Sequence, residues 1–262
     1  MMTKLSDPAQ IDRDALTKDW HGRKIYSYFR AYGLNYPFCQ FYLLEYGDMR
    51  GYAMLLNATL LVSSADPLPP EELACFIAMH QPFRVETTPG VMQGLLETPG
   101  YQPLRRTLFE LNAHGLPADF QEADIDFSPR LDDVYAILHE GFPNLAAHDI
   151  WLTDTSHLIR NGISRPFTYK NMTTATILYD VDNQVLIGQV ATKVAARGSG
   201  YARTFLSWLA AFLEQFHKRA VLFALDVRVS FYTEIGFTPI AEEYVLERLD
   251  KDKEAMQKGR LN

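Results

Sequence analysis

The chain has 262 residues, enough for one large domain or two modest ones, each able to bury a sizeable core. Its 25 basic and 32 acidic residues leave a formal net charge of −7, which argues against nucleic acid as the main partner, because binding a phosphate backbone needs a basic face. No apolar run is long enough to cross a membrane, the polar opening MMTKLSDPAQ is not a secretory signal, and Cys39 and Cys75 are too few for a disulfide framework or a zinc site, so the expectation is a cytoplasmic protein with reduced thiols and no metal.

Taken in order, Asp7-Pro8 reads as a helix cap with proline at the first position, and helical character follows in two pieces to about Gly33. Two strands, 38–46 and 51–64, flank the turn Gly47-Asp48. A helix over 70–80, a short strand at FRVET, a second helix over 90–97 and the strand YQPLRRTLFELN come next. The loop 113–118, with Gly115 and Pro117, is the expected domain boundary, dividing 1–115 from 119–250. Beyond it the pattern predicts a strand at 120–127, helices at 129–140 and 147–161, and strands at 166–170, 173–180 and 184–192. After a long helix, 221–225 is wholly apolar and of strand length, as a parallel strand covered on both faces requires. A short helix at 227–235 ends on Gly236, a strand follows over 238–249, and the tail KDKEAMQKGRLN reads as solvated helix or disorder.

The stretch 188–218 is the most informative. Val190, Ala191 and Thr192 close an apolar run, the turn Arg197-Gly198-Ser199-Gly200 interrupts it, and a helix follows with Ala202, Phe205, Leu206, Leu209, Phe212, Leu213 and Phe216 on one face. A helix that opens on glycines presents unpaired, partly positive N–H groups with no Cβ in the way, and Arg197 adds a permanent charge. That chemistry asks for a phosphorylated ligand.

Arg197-Gly198-Ser199-Gly200-Tyr201-Ala202 resembles the Arg/Gln-x-x-Gly-x-Gly/Ala signature of the GNAT superfamily of acyl-CoA N-acyltransferases, and Val190, Ala191 and Thr192 precede it at that family's spacing. Phe231-Tyr232-Thr233-Glu234-Ile235-Gly236-Phe237 is similar to its second signature, Phe/Leu-Tyr-x-x-x-Gly-Phe. The family's usual proline and acidic residue before the arginine are replaced by Val194-Ala195-Ala196. The resemblance covers about residues 120 to 249 and implies an α/β fold with a mixed sheet. It implies that acetyl-CoA lies along Val190 to Thr192 as an added strand, its pyrophosphate on Arg197 to Ala202. The first half shows the same order of elements without a residue-level repeat, so the expectation is two GNAT-like domains in tandem. In that first copy Pro70, Glu71 and Glu72 open the corresponding helix, where carboxylates repel a pyrophosphate, so it is not expected to bind the cofactor.

Transfer of an acyl group from a thioester to an amine requires the amine to lose a proton and the thiolate to gain one. Tyr232, at the family's matching position, is the candidate donor; the other reading is a tyrosine packed on the sheet. Asp226, Glu234, Asp154 and His157 are all open as the base, as is a water chain, and each side chain equally suits a cap or a solvated face. The reading is an acetyltransferase acting on a primary amine of a small molecule or peptide, and the acidic chain favours a cationic one. Two rivals stand beside it. One is a module that binds acyl-CoA without turnover; the other is a Rossmann-like dinucleotide or S-adenosylmethionine site built on Gly198-x-Gly200 and Asp226, against which Arg203 stands where a third glycine belongs.

Overall fold

The structure, a computed structural model, describes residues 1–249. The tail KDKEAMQKGRLN lies outside the described residues. In chain order the elements are β1 (Met2–Lys4), α1 (Arg13–Leu16), α2 (Trp20–Tyr32), β2 (Cys39–Tyr46), β3 (Met49–Leu56), β4 (Thr59–Ser64), α3 (Pro70–His80), β5 (Arg84–Thr87), α4 (Pro89–Met92) and β6 (Tyr101–Glu110). Then come β7 (Ile125–Asp126), α5 (Leu131–Gly141), α6 (His148–Arg160), β8 (Arg165–Tyr169), β9 (Thr173–Val181), β10 (Gln184–Thr192), α7 (Tyr201–Gln215), β11 (Arg219–Leu225), α8 (Asp226–Ile235) and β12 (Thr238–Arg248). Single 3-10 turns stand at Pro8–Gln10, Glu122–Asp124 and Val194–Ala196.

Two expected strands change, and the helix expected over 90–97 is the four residues of α4. The single strand expected over 51–64 is two, β3 and β4, because Asn57 adopts a φ of 49° and donates its N–H to the Phe38 carbonyl at 2.7 Å, making a hairpin of what reads as one apolar run. The strand expected over 120–127 shrinks to the 3-10 turn and the two residues of β7. The opening helical stretch comes in pieces as expected, a 3-10 turn and two α-helices, each entered through an aspartate, Asp7, Asp12 or Asp19, whose carboxylate accepts a backbone N–H.

The described residues pack as two compact units, 1–106 with 243–249, and Thr107–Glu242. The division falls inside β6, and the loop at 113–118 belongs to the second unit. No composition shift marks the place, since Arg106, Thr107, Leu108 and Phe109 are all buried in one continuous strand.

In the first unit the strand order is β1-β2-β3-β4-β5-β12. β4 and β5 run parallel and β5 pairs antiparallel with Val245 to Glu247 of β12, so the strand that closes this sheet comes from the far end of the sequence. Leu60, Val62, Leu73, Ile77, Val85 and Leu246 make up much of its core. Beside them lies a cluster of buried charges. Arg106 donates Nε to Glu243 at 2.6 Å and Nη2 to Glu86 at 3.2 Å, His21 Nε2 meets Glu243 at 3.1 Å, and Lys24 Nζ meets Glu86 at 3.3 Å. Burial by itself would raise the Glu86 pKa, but Lys24, Arg106, Arg84 and His21 outweigh it and hold the carboxyl far below the usual range.

In the second unit the order is β6-β11-β10-β9-β8-β7. β7 through β10 alternate antiparallel, and β10 and β11 run parallel. With β7 through β10 alternating antiparallel, this is not the doubly wound parallel sheet of a Rossmann-like site, so that rival loses its scaffold. Phe205, Leu206 and Leu209 of α7 pack with Val185, Ile187, Ala175 and Ile177 on one face, and α5 and α6 pack with Ala191 through Val134, Ile137, Leu138 and Trp151.

Candidate functional site

The site forms where β10 changes hands. Between Gly188 and Ala191 its register against β9 shifts, and Gln189 takes a φ of 52°. An inserted residue inverts the alternation of a strand. Val185 and Ile187 therefore pack in the α7 core, and past the bulge Val190 packs there while Ala191 joins the α5 and α6 cluster. A bulge also bends a strand away from its neighbour. The parallel ladder between β10 and β11 runs from Gln184–Arg219 to Ile187–Leu222 and stops, although β10 continues to Thr192 and β11 to Leu225. The backbone from Gly188 to Thr192 is thus released from β11 while still paired with β9 through Ala191–Thr174 and Thr192–Thr173.

Directly after this released edge comes the glycine turn. Gly198 and Gly200 have φ of 80° and 77°, a region that L side chains rarely adopt, and a Cβ built on either meets nothing within 4 Å. Gly200 is the N-cap of α7, and no side chain caps the helix, so the N–H groups of its first turn face outward. Arg197 is exposed and its guanidinium is put to local use: Nε donates to the Thr192 carbonyl at 3.2 Å and Nη2 to the Glu140 carbonyl at 2.9 Å. The Glu140 carboxylate accepts the Val194 N–H. Arg197 therefore ties the turn to α5.

Tyr201 and Ala202 begin α7. The Tyr201 ring packs edge-on against Tyr169 at 5.7 Å, and the Lys170 ammonium stands 5.7 Å from its centroid while pairing with Asp124 at 3.4 Å. Lys170 was not among the residues singled out from sequence. Its signal lies in the turn Lys170-Asn171, where both residues have positive φ and return β8 into β9 beside the start of α7. Glu140 carried no readable signal at all, since its role depends on α5 meeting β10.

Tyr232 sits on α8 and is buried, 5.1 Å from Phe231, 5.7 Å from Phe109 and stacked on Phe237 at 6.3 Å. Burial pushes its phenol up to about 12, against a smaller opposing pull from Arg228. The hydroxyl keeps its proton throughout the neutral range. Full transfer to a thiolate of pKa about 8.5 is uphill by roughly 3 to 4 pK units, so this phenol suits donation of a hydrogen bond to developing negative charge. Of the acids and bases named above, Asp226 and Glu234 lie at exposed positions of the same helix, with Glu234 3.8 Å from Arg203, and Asp154 and His157 occupy neighbouring turns of α6.

No family model and no curated protein matches the sequence. Solved structures do match the fold. The chain is similar to a GCN5-related N-acetyltransferase from Sphaerobacter thermophilus, with a TM-score of 0.60, 17% identity and 95% of each chain covered. It is also similar to an acetyltransferase of the GNAT family from Colwellia psychrerythraea, with a TM-score of 0.53, 14% identity, and 95% of this chain and 100% of that one covered. A Drosophila protein matches with a TM-score of 0.59 and 12% identity over 95% of this chain and 98% of its own. The fold of this chain is that of the GCN5-related N-acetyltransferases.

Proposed function

We propose that this protein is an acyl-CoA N-acyltransferase that moves an acetyl group from acetyl-CoA to a primary amine of a small molecule or peptide, with the second unit carrying the donor site. The observation that carries this reading is the continuity of an unladdered strand edge with an open, uncapped helix start: the released backbone of β10 runs into Gly198 and Gly200 within a few residues. A chain bearing amides can pair with the first, and a pyrophosphate can sit on the second. Acetyl-CoA would supply a thioester whose C–S bond breaks as the amine nitrogen bonds to its carbonyl carbon, the nitrogen giving up a proton to water and the departing thiolate taking one from water. In this assignment Val190, Ala191 and Thr192 offer backbone hydrogen bonds. Gly198, Ser199, Gly200, Tyr201 and Ala202 offer N–H groups to phosphate, and Arg197 fixes the turn and adds charge. The buried Tyr232 hydroxyl steadies the departing sulfur with a hydrogen bond.

Calorimetric titration of the full chain with acetyl-CoA and with CoA tests the site, alongside an Arg197→Ala, Gly200→Glu double variant. The expected result is binding of both ligands at micromolar affinity by the parent and by neither in the variant. An absence of binding to the parent overturns the proposal. Turnover is tested separately on a panel of amines with Tyr232→Phe, expected to lower kcat at least tenfold with CoA affinity kept. Binding without turnover on any amine would favour the non-catalytic module.

A further inference from the structure

The second unit contains a cleft that the acetyl-transfer reading does not use. It has a volume of about 800 Å³ and opens between the C-terminal end of α6, the start of β8 and the C-terminal end of α7. That volume falls within the range of about 300 to 1,000 Å³ usual for small-molecule sites. Its walls are apolar, chiefly Phe127, Ile163, Ile177, Phe212, Leu213 and Phe216, and Phe216 is left 55% exposed. An aromatic ring held at an open wall has apolar surface to cover.

Charge at the cleft is one-sided. Lys218 and Asp180 both line it and pair with each other, which cancels them. Arg165 lines it too, exposed, with its guanidinium 4.8 Å from the Phe167 centroid and 5.8 Å from that of Phe127. Among the described residues it has no carboxylate partner. The two rings stand 73° apart and flank the guanidinium through cation–π contacts, which do not use up its N–H donors, so these are left for an acceptor from outside. The lining thus carries one uncompensated positive charge over an apolar floor.

The cleft is separate from the glycine turn. α7 runs 15 residues from Tyr201 to Gln215, about 22 Å of helix, and the two features lie at its opposite ends.

We propose that this cleft is a second ligand site, for a free amphipathic carboxylate of the fatty-acid type, its carboxylate on Arg165 and its chain against the three phenylalanines and the neighbouring isoleucines. The complementarity is to a single negative charge joined to an extended apolar body. A neutral alcohol leaves the guanidinium unpaired, and an alkylammonium places like charge beside it.

Calorimetric titration of the full chain with sodium decanoate, below its micellar concentration, and with decylamine hydrochloride tests this. Saturable binding of one decanoate per chain is expected, at least tenfold tighter than decylamine. Arg165→Gln should weaken decanoate about tenfold, in line with loss of a charge-assisted hydrogen bond, and Phe216→Asp should weaken it at least as much by placing a carboxylate in the cleft. Both positions are exposed, so an unchanged melting temperature confirms the fold of each variant. Should either variant melt early, the contrast between decanoate and decylamine on the parent decides the matter. No saturable decanoate binding, equal affinity for decylamine, or binding indifferent to both substitutions overturns the proposal.

Discussion

Each unit contains a parallel strand pair followed or bridged by a helix, and the two versions differ in what their backbone is left free to do. In the second unit β10 is bulged, its ladder with β11 ends at Ile187–Leu222, and α7 starts on an uncapped αL glycine. In the first unit β3 and β4 pair without a register shift from Gly51–Ser64 to Leu56–Thr59. β4 pairs with β5 from Thr59–Arg84 to Val62–Thr87, and where that ladder ends Thr88 takes over: its N–H bonds to the Val62 carbonyl at 3.2 Å and its Oγ1 to the Ser64 carbonyl at 3.0 Å. The helix between these strands, α3, opens on Pro70, Glu71 and Glu72, and Glu72 accepts the Met2 N–H at 2.7 Å and the Tyr46 hydroxyl at 2.8 Å. Neither helix is capped by a side chain, so the contrast lies in the strand edge, carried on by Thr88 in the first unit and released past Ile187 in the second, and in the residues that open the helix, proline and glutamates against glycines. The difference teaches that a shared order of elements does not carry a shared site. One inserted residue and two glycines separate a closed junction from an open one.

If the first unit uses its polar groups for structure, the largest effect should come from its buried charges. Arg106→Met strands Glu86 and Glu243, and unfolding in urea is expected to show a loss of about 3–5 kcal/mol. A loss under 1 kcal/mol would mean that the cluster is not structural. In the second unit Tyr232 offers a contrast, because its raised pKa is a liability at high pH: the folded phenol keeps its proton to about 12, whereas an unfolded tyrosine loses it near pH 10. Its stabilising contribution is therefore complete below pH 10 and disappears as the pH climbs through about 12. Tyr232→Phe is expected to reduce the alkaline loss of stability by a few kcal/mol at most, on the order of 3, read from denaturation midpoints between pH 9 and pH 12. Thr88→Val removes the hydroxyl that closes the first junction and should lower stability by about 1 kcal/mol, the worth of a typical hydrogen bond. Smallest of all, Glu72→Gln on the partly exposed start of α3 should change stability by less than about 1 kcal/mol. That substitution also sharpens the comparison: titration with acetyl-CoA should still saturate at one molecule per chain. A second equivalent appearing in Glu72→Gln would show that charge alone, without an open strand edge, makes such a site.

Local patterns revealed much of this fold. Pro70–His80 and Gln184–Thr192 have the bounds that periodicity and turn residues predict, and the positive φ at Gly198, Gly200 and Gly236 falls where glycine permits it. The hairpin at Asn57 was not legible, because Met49–Leu56 and Thr59–Ser64 are both apolar and a single asparagine between them is a weak turn signal. At the candidate site the glycine turn was readable and the bulge was not. Gln189 belongs to an ordinary strand pattern, and its φ of 52° follows from how β10 must pair with β9 and then leave β11. Arg197 was read as a phosphate ligand, yet two of its nitrogens bind the carbonyls of Thr192 and Glu140, the second of them 57 residues away.

The amino-acid sequence by itself determined the bounds of elements such as Pro70–His80 and Gln184–Thr192, where the chain can turn through positive φ, and that one long helix opens on glycines. Those signals act within a turn or two, so neighbouring residues suffice to write them. Tertiary structure alone decided that Val245 to Glu247 close the sheet of the first unit against β5, that His21, Lys24, Glu86, Arg106 and Glu243 meet in one buried cluster, and that Arg165 stands at an apolar cleft. Each of these joins residues far apart along the chain, and strands of like hydrophobicity do not name their partners. Pairing is chosen by burying all of them at once with every charge and backbone group satisfied.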